Sequence, residues 1–261
     1  MKIEFSKYQG TGNDFVIIDN RKKEYSLLTA AHIRHLCDRR FGIGADGLMM
    51  MNEKSGYDFD MRYFNADGRE GSMCGNGARC LIKFAYQLGI HKNLYRFTAF
   101  DGLHEAEIDT DGVVSLKMQD VNHVSKFHGD YILNTGSPHY IKMVNDVMTL
   151  DVFKKGRDIR YSKEFHQDGI NVNFVEQMPD DDKILVRTYE RGVEDETLSC
   201  GTGVTAAALV CYHNEAGFND VEVKTLGGSL TVEFDRIDDN KYNNIWLCGP
   251  AEKVFEGVME V

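Results

Sequence analysis

The sequence predicts an α+β protein made of two similar halves, each a curved, largely antiparallel sheet around a buried central helix. Its 261 residues suffice for one large domain or for two of roughly 130 residues. Three observations favour the two-half arrangement. They are an internal repeat, one strongly apolar helical segment in each half, and a series of short β-type runs in both.

The repeat aligns residues 61–77 with residues 187–203. Both segments contain Cys-Gly-x-Gly, which begins at Cys74 and at Cys200, an offset of 126 (200 − 74). Upstream, the motif Gly-Asn-Asp-Phe at 12–15 aligns with Gly-Ser-Pro-His at 136–139 at an offset of 124 (136 − 12). One short match could arise by chance, so the ordered agreement of two motifs supports the inference.

The two halves are expected to meet near residues 118–125. This places an N-terminal half at 1–120 and a C-terminal half at 121–261, with the last strand a candidate to return to the N-terminal half.

The β-type runs alternate or are rich in Ile, Val, Phe and Tyr, as half-buried strands are. In the first half they cover 2–8, 14–19, 57–64, 94–100, 103–109 and 113–118, and Met49–Met51 is read as strand core. In the second they cover 131–134, 139–144, 170–176, 183–190, 221–226, 229–234 and 245–248.

One apolar helix is predicted in each half, at 78–86 and at 205–212. Each is expected to end near a glycine, Gly89 or Gly217. The second is apolar almost all round, which indicates burial. Residues 29–40 and 147–161 are expected to form further surface helices.

Composition excludes several functional classes. The net charge of −11 and the lack of a basic stripe argue against a nucleic-acid partner. No stretch reaches the roughly 18 apolar residues of a membrane helix, and the N-terminus has no signal-peptide pattern. We therefore expect a soluble cytoplasmic protein without a membrane partner. Six cysteines are too sparse for a disulfide scaffold, so they should be thiols.

Each predicted buried helix begins with Cys-Gly-x-Gly. The backbone N–H groups of a first helical turn have no intrahelical partner and carry positive partial charge, so they bind carboxylates. The same field lowers the pKa of a thiol at the helix start. Two such thiols in equivalent positions would flank a small molecule. One could remove an α-proton while the other returns a proton to the opposite face.

This chemistry requires no cofactor. As the α-proton of an amino acid leaves, charge develops on its carboxylate, and helix N-termini aimed at that group stabilise the charge. The chain contains no cofactor motif that we recognise, so none is expected.

Ordered motifs along nearly the whole chain resemble diaminopimelate epimerase. They are residues 10–15 (GTGNDF), 64–68 (FNADG), 74–80 (CGNGARC), and 190–192 (ERG) followed by 200–203 (CGTG). The resemblance implies two pseudosymmetric α+β halves and no cofactor. It also implies interconversion of LL- and meso-2,6-diaminopimelate in the synthesis of lysine and peptidoglycan precursors. It also suggests a homodimer.

The resemblance implies roles for individual residues. Cys74 and Cys200 would be the catalytic acid/base pair, and His139 and Glu190 would tune their pKa values. Residues implied in substrate binding are Asn13, Asn65, Gly75, Asn76, Asn171, Glu190, Arg191, Gly201 and Thr202. Arg191 suits a carboxylate and Glu190 an ammonium group.

The chain departs from the family pattern at three places. Ser137 replaces an asparagine, so its substrate contact is only a possibility. Gly47 stands where many members carry a glutamine ligand. The loop from Glu190 to Cys200 is one residue longer than usual.

Each candidate also has a purely structural interpretation. Cys74 and Cys200 could be buried structural thiols, and His139 a hydrogen-bonded core histidine. Asn13 and Asn65 could be turn formers, and Glu190–Arg191 a solvated ion pair of little energetic value.

The other cysteines are not expected to function. Cys80 and Cys211 lie inside the helices and are read as core, while Cys37 and Cys248 belong to no motif. Residues 74 and 80 are about 240° apart around a helix, so they do not face one ligand, and no metal site is expected.

Rival functions remain open at this point. Proline or hydroxyproline racemases share the fold and the cysteine pair but commonly have His after the first Cys-Gly, where this chain has Asn76. Phenazine-type isomerases lack the paired cysteines. A thiol-redox sensor would not need Asn65, Asn171, Glu190 and Arg191, and an amino-acid binding protein leaves two activated thiols unexplained.

Overall fold

The computed structural model describes residues 1–178, 183–211 and 216–261. They form two compact units. The first contains Met1–Leu116 and Gly249–Val261, and the second contains Lys117–Cys248. The first continuous segment therefore ends at Leu116, whereas the sequence analysis placed the boundary at residue 120. The last strand belongs to the first unit. No helix in the described ranges is long and apolar enough to cross a bilayer.

The first unit is a mixed sheet with two helices. Its strands are β1 (Lys2–Gly10), β2 (Asn13–Asp19), β3 (Gly47–Asn52), β4 (Phe59–Asn65), β5 (Tyr95–Ala99), β6 (Gly102–Ile108), β7 (Val114–Lys117, which ends at the boundary) and β17 (Glu252–Glu260). Its helices are α1 (Ala30–Cys37) and α2 (Gly75–Gln87). Neighbouring strands run β17-β1-β2-β3-β4-β5-β6-β7, and only β2–β3 and β4–β5 pair in parallel.

The hairpin between β1 and β2 is as tight as the chain allows. Gly10 pairs with Asn13, so only Thr11 and Gly12 form the turn. Both have positive φ, +49° and +82°, as the two-residue turn that matches strand twist requires. This geometry places Asn13 at the very start of β2.

The two faces of this sheet are covered by different helices. Side chains alternate between faces along a strand, so Val16, Leu48 and Phe64 pack on one face with Ile33 and Leu36 of α1. α2 packs against the opposite face. A Cβ on Gly77 of α2 would lie 2.9 Å from Met49 Sδ and 3.5 Å from Phe15 Cε1. The glycine at this position lets the first turn of the helix lie directly on the sheet.

The second unit repeats this plan. Its strands are β8 (Val124–Phe127), β9 (Asp130–Asn134), β10 (Pro138–Met143), β11 (Asn171–Met178), β12 (Lys183–Glu190), β13 (Asp195–Thr197), β14 (Gly217–Thr225), β15 (Gly228–Asp238) and β16 (Lys241–Gly249, whose last residue lies past the boundary). Its helices are α3 (Val152–Arg160) and α4 (Gly201–Cys211). Pairing is antiparallel except for β10–β11 and β12–β14.

Helix α3 covers one face of the second sheet and α4 the other. Val152 of α3 belongs to an apolar cluster with Tyr140, Val172, Phe174 and Tyr189. α4 packs on β10, β11 and β12 through the opposite face. Its residues Val204, Ala206, Ala207, Ala208 and Leu209 are buried, as the all-round apolar pattern predicts.

Several predicted boundaries need correction. The surface helix expected at 29–40 covers Ala30–Cys37, and the one expected at 147–161 divides into a 3-10 turn at Val147–Thr149 and α3. Gly89 follows the C-cap of α2 with φ +84°, whereas Gly217 begins β14, and residues 212–215, which separate it from α4, are outside the described residues. Residue 212 and the side chain of Cys211 lie outside the described residues.

Candidate active site

The first half-site is defined here as Asn13, Asn65, Cys74, Gly75 and Asn76. Cys74 is the N-cap of α2, with extended backbone (φ −108°, ψ 120°) and no side-chain hydrogen bond to the helix. Its carbonyl accepts the first helical bond, from Ala78 N at 2.8 Å. The thiol therefore stands at the positive end of α2 without capping it.

Asn13 lies beside this thiol. Its Oδ1 atom accepts from Cys74 Sγ at 3.6 Å and from Asn76 Nδ2 at 3.4 Å. Its Nδ2 atom donates to Asp46 Oδ2 at 2.6 Å. Because a carboxylate can only accept, that bond fixes the amide with its oxygen toward Cys74.

Asp46 belongs to an ionic network that the sequence did not single out. Arg39 pairs with Asp46 at 2.7 Å and with Asp14 at 2.7 Å, and Lys7 pairs with Asp14 at 2.7 Å. Burial alone would raise the pKa of the Asp14 carboxyl, but hydrogen bonds from Arg39 and Lys7 outweigh it and hold the pKa below its usual range. The network keeps the Asp14 carboxylate charged, and through Asp46 it orients Asn13.

Arg79 supports the other amide of the half-site. This fully buried side chain donates to Asn76 Oδ1 at 3.1 Å and to Thr11 Oγ1 at 3.2 Å. It joins the first turn of α2 to the β1–β2 hairpin. Gly10 allows the close approach, since a Cβ there would lie 3.1 Å from Asn76 O.

Asn65 is the last residue of β4 and its side chain is exposed. In the sheet it pairs with Gly47, which pairs in turn with Phe15. These three residues share the face on which α2 packs, so Asn65 lies on the same side of the sheet as Cys74.

The second half-site is defined as Cys200, Gly201, Thr202, His139 and the cluster of Ser137, Asn171, Glu190 and Arg191. Cys200 directly precedes α4, and its carbonyl accepts from Val204 N at 2.8 Å, as Cys74 does in the first unit. Its sulfur lies 3.6 Å from Thr202 Oγ1 and is largely buried. Thr135 Oγ1 donates to Thr202 O at 2.8 Å and fixes the first turn.

His139 lies beneath that turn in a neutral, fully buried network. Its Nδ1 atom lies 3.1 Å from Asn173 Nδ2, which also donates to Tyr140 O at 3.2 Å. Thr188 Oγ1 donates to Asn173 Oδ1 at 2.8 Å. The backbone carbonyl fixes the Asn173 amide, so Nδ1 of His139 accepts and the neutral ring carries its proton on Nε2.

Burial, with a smaller contribution from Arg191, lowers the pKa of His139 to about 3. The ring is therefore uncharged near neutral pH. Among the described residues, no hydrogen-bond partner is found for the buried Nε2 atom. His139 is thus a hydrogen-bonded core histidine that lies against the first turn of α4. A Cβ on Gly203 would lie 3.4 Å from its Cε1 atom.

The structure brings Ser137, Asn171 and Arg191 together in the second unit. Asn171 Nδ2 donates to Ser137 Oγ at 2.9 Å and to Pro138 O at 3.1 Å, while its Oδ1 accepts from Arg191 N at 2.9 Å. Arg191 Nη2 donates to Ser137 Oγ at 3.2 Å. Asn171 is buried, so within this unit it connects Ser137 to Arg191.

Glu190 ends β12, half-buried, beside the exposed Arg191. It lies two residues after Thr188, so it faces the α4 side of the sheet. The residues that sequence reasoning missed are Asp46, Arg39, Lys7, Arg79, Asn173, Thr188 and Thr135. The one usable signal was the spacing of Asn173 from Asn171, which places both on one strand face.

Each half-site thus offers a thiol at a helix N-terminus, backbone N–H groups in a glycine-containing first turn, and neutral hydrogen-bonding side chains. Helix N-termini of this kind are suited to bind an anion, and a thiol can accept or donate a proton. No group of three or more His, Cys, Asp or Glu residues within the described chain could hold a metal ion.

The diaminopimelate epimerase family model matches twice, at residues 5–124 and 131–254. The two matches fall in the two halves of the repeat. Among curated relatives, diaminopimelate epimerase of Flavobacterium psychrophilum is 48% identical, with 96% of this chain and 97% of the relative covered. The enzyme of the same name from Aquifex aeolicus is 40% identical, with 98% and 97% covered.

Similar solved structures support the α+β fold alone. A phenazine biosynthesis protein of the PhzF family from Bacillus anthracis has a TM-score of 0.75 at 16% identity, with both chains fully covered. A hydroxyproline epimerase from Agrobacterium vitis has a TM-score of 0.66 at 12% identity, covering 98% of this chain and 92% of that one. By the family model and these relatives, the chain belongs to the diaminopimelate epimerase family.

Proposed function

We propose that the protein interconverts LL- and meso-2,6-diaminopimelate without a cofactor, with Cys74 and Cys200 as the acid/base pair. The observation that carries this proposal is that both cysteines occupy the same structural position. In each unit the carbonyl of the cysteine accepts the first bond of the buried helix, from Ala78 or Val204 at 2.8 Å. A family of epimerases with this duplicated motif gives the pair its chemistry.

In the proposed reaction one cysteine is a thiolate and the other a thiol. The thiolate takes the α-proton, the C–H bond breaks, and its electron pair delocalises into the carboxylate to give an enediolate. The thiol then protonates the α-carbon from the opposite side, and its sulfur takes the negative charge. Charge and protons balance, and the enzyme is left with the two protonation states exchanged.

The reacting carboxylate is assigned to the backbone N–H groups of Gly75 with Asn76 and Gly201 with Thr202. Preorganised donors at helix N-termini stabilise negative charge as it develops and need not reorient during the reaction. Glycine at the first helical position lets the ligand approach the backbone. The same field favours the thiolate form of the adjacent cysteine.

The distal amino-acid end is assigned to neutral amides and one charged pair. Asn13 and Asn65 supply amides, Arg191 binds the distal carboxylate, and Glu190 binds the ammonium group. Asn171 acts by positioning, because its amide bonds hold Ser137 and the Arg191 backbone. Ser137 steers the Arg191 guanidinium through the bond from Nη2.

The proposed reaction belongs to the synthesis of lysine and of peptidoglycan precursors. Both cysteines must be in the reduced form for the reaction, and the cytoplasm keeps cysteines reduced. We therefore place the enzyme there.

The test is to incubate reduced protein with LL-diaminopimelate in D₂O, without pyridoxal phosphate, and to follow the α-hydrogen signal by NMR. We expect exchange and meso product from the wild type. Cys74→Ala and Cys200→Ala should each lower the rate of epimerisation by about 10²–10⁴-fold, the usual contribution of a general acid or base.

Matched controls are Cys37→Ala in the first unit and Cys248→Ala in the second, buried cysteines outside both half-sites. These should retain activity. A wild type that exchanges no α-proton of diaminopimelate would refute the proposal. Activity on proline instead would favour the racemase alternative.

A further inference from the structure

Gly47 has no room for a side chain, because another residue already fills that space. A Cβ on Gly47 would lie 2.5 Å from Tyr63 Cε2 and 3.0 Å from the Tyr63 hydroxyl oxygen. Tyr63 pairs with Met49 in the sheet, two residues further along β3. Its ring therefore leans along the strand until the hydroxyl end lies over Gly47.

A second glycine bounds the opposite edge of the ring. A Cβ on Gly71 would lie 2.9 Å from Tyr63 Cδ1 and 3.0 Å from Tyr63 Cε1. The Gly71 amide donates to Tyr63 O at 2.9 Å, and the ring meets Phe15 edge-on with centroids 6.1 Å apart. Two glycines and an aromatic neighbour thus hold the ring in one orientation.

This orientation places the hydroxyl over the strand position next to Asn65 of the first half-site. Gly47, over which the hydroxyl lies, pairs directly with Asn65. The Asn65 Nδ2 atom is 3.1 Å from the same Gly71 Cβ position that the ring bounds. A Cβ on Gly77, in the first turn of α2, would lie 3.5 Å from Cε1 of Phe15, the edge-on neighbour of the ring. The segment from Gly71 then leads within three residues to Cys74.

We propose that Tyr63 is a substrate-positioning residue whose hydroxyl, together with the Asn65 amide, binds the distal amino-acid end of diaminopimelate. This inference rests on the proposed function and adds to it a residue that no motif indicated. A phenolic hydroxyl can donate to a carboxylate and accept from an ammonium group. Gly47 and Gly71 are the positions whose lack of a side chain makes room for it.

The test variant is Tyr63→Phe, which keeps the ring between the two glycines and removes only the hydroxyl. We expect KM for LL-diaminopimelate to rise about tenfold while kcat changes less than about twofold, since one hydrogen bond to a charged group is lost from substrate and transition state alike. The melting temperature should fall by no more than about 2–4 °C, the shift that about 1 kcal/mol causes in a chain of this size.

The matched control is Tyr57→Phe, at an exposed tyrosine of the same unit, which should change neither constant. Wild-type KM in Tyr63→Phe, or a lowered melting temperature with unchanged kinetics, would overturn the assignment of Tyr63 and leave the proposed function intact. A wild type inactive on LL-diaminopimelate would overturn the proposed function and this inference with it.

Discussion

The two half-sites use the same helix start but hold it in place with different chemistry. In the first unit the support is ionic and partly exposed. Arg39 pairs with Asp46, and Asp46 accepts from the Asn13 amide and so orients Asn13 beside Cys74. In the second unit, the support beneath Cys200 is a buried neutral network of His139, Asn173 and Thr188. The duplicated Cys-Gly-x-Gly motif is thus held in place by different residues in the two units.

The largest expected effect is a difference in stability between alanine variants at two equivalent glycines, Gly203 and Gly77. A Cβ on Gly203 would lie 2.2 Å from Asn173 Oδ1, a buried atom fixed by Thr188. A Cβ on Gly77 would lie 2.9 Å from Met49 Sδ, which can move aside. We expect Gly203→Ala to cost about 3 kcal/mol of unfolding free energy and Gly77→Ala about 1 kcal/mol or less.

Chemical denaturation of both variants measures this difference. Equal losses of unfolding free energy in the two variants would mean that the network of Asn173 and Thr188 around Gly203 yields as easily as the Met49 side chain around Gly77. A Gly203→Ala protein too unstable to purify, beside a folded Gly77→Ala protein, would agree with the expectation.

A smaller effect is expected from His139, and it depends on pH. The folded-state pKa of about 3 lies below the ordinary 6.5, so the unfolded chain binds a proton first as pH falls. The neutral His139 therefore lowers the stability of the folded protein only below about pH 6.5, and the loss grows as the pH falls toward about 3. By about pH 5 the free energy of unfolding should be about 2 kcal/mol lower than at neutral pH.

In His139→Gln this part of the pH dependence should disappear, as measured by urea unfolding at about pH 8 and about pH 5. The control His123→Gln, at an exposed histidine of the same unit, should keep the wild-type slope. A His139→Gln protein with that same slope would contradict a neutral buried ring.

The smallest effect concerns the ionic network of the first half-site. Asp46→Asn keeps the shape of the side chain. Its amide has one uncharged oxygen, so it cannot accept hydrogen bonds from both Asn13 and Arg39 as the two carboxylate oxygens do. We expect kcat/KM to fall about tenfold, the effect of losing one charge-assisted hydrogen bond. Because the network is partly exposed, the wild type should also lose some activity at high salt.

Asp19→Asn is the matched control, since it breaks a similar surface pair, with Arg21 at 2.6 Å, away from the half-site. Both variants should lose little stability, but only Asp46→Asn should lose activity. Equal kcat/KM in Asp46→Asn and Asp19→Asn would show that activity does not depend on the hydrogen bond between Asn13 and the Asp46 carboxylate.

The sequence could predict what depends on local pattern. Alternating apolar residues indicated most strands, and Cys-Gly-x-Gly placed Cys74 and Cys200 at the starts of buried helices. It indicated that the last strand could return to the N-terminal half, but it did not give the bounds of β17, because the residues of this strand are mostly exposed. Nor could it predict β13, which has only three residues.

The supporting residues were missed for a different reason. The bond from Arg79 to Thr11 joins positions 68 residues apart, and that from Asn13 to Asp46 joins positions 33 residues apart. No local pattern in the sequence shows that these positions pair with each other, so only the fold brings them together. Tyr63 resembled any strand aromatic until Gly47 and Gly71 were seen to bound its ring.

The central claim is that two different cysteines serve the two faces of one α-carbon. It is tested most directly by the position of the label early in the reaction of LL-diaminopimelate in D₂O. We expect meso product to carry deuterium at the inverted carbon while recovered LL substrate carries none, because the thiol that delivers the new proton exchanges with solvent and differs from the base. Deuterium entering recovered substrate and product at equal rates would mean that a single base serves both faces, and would contradict the account.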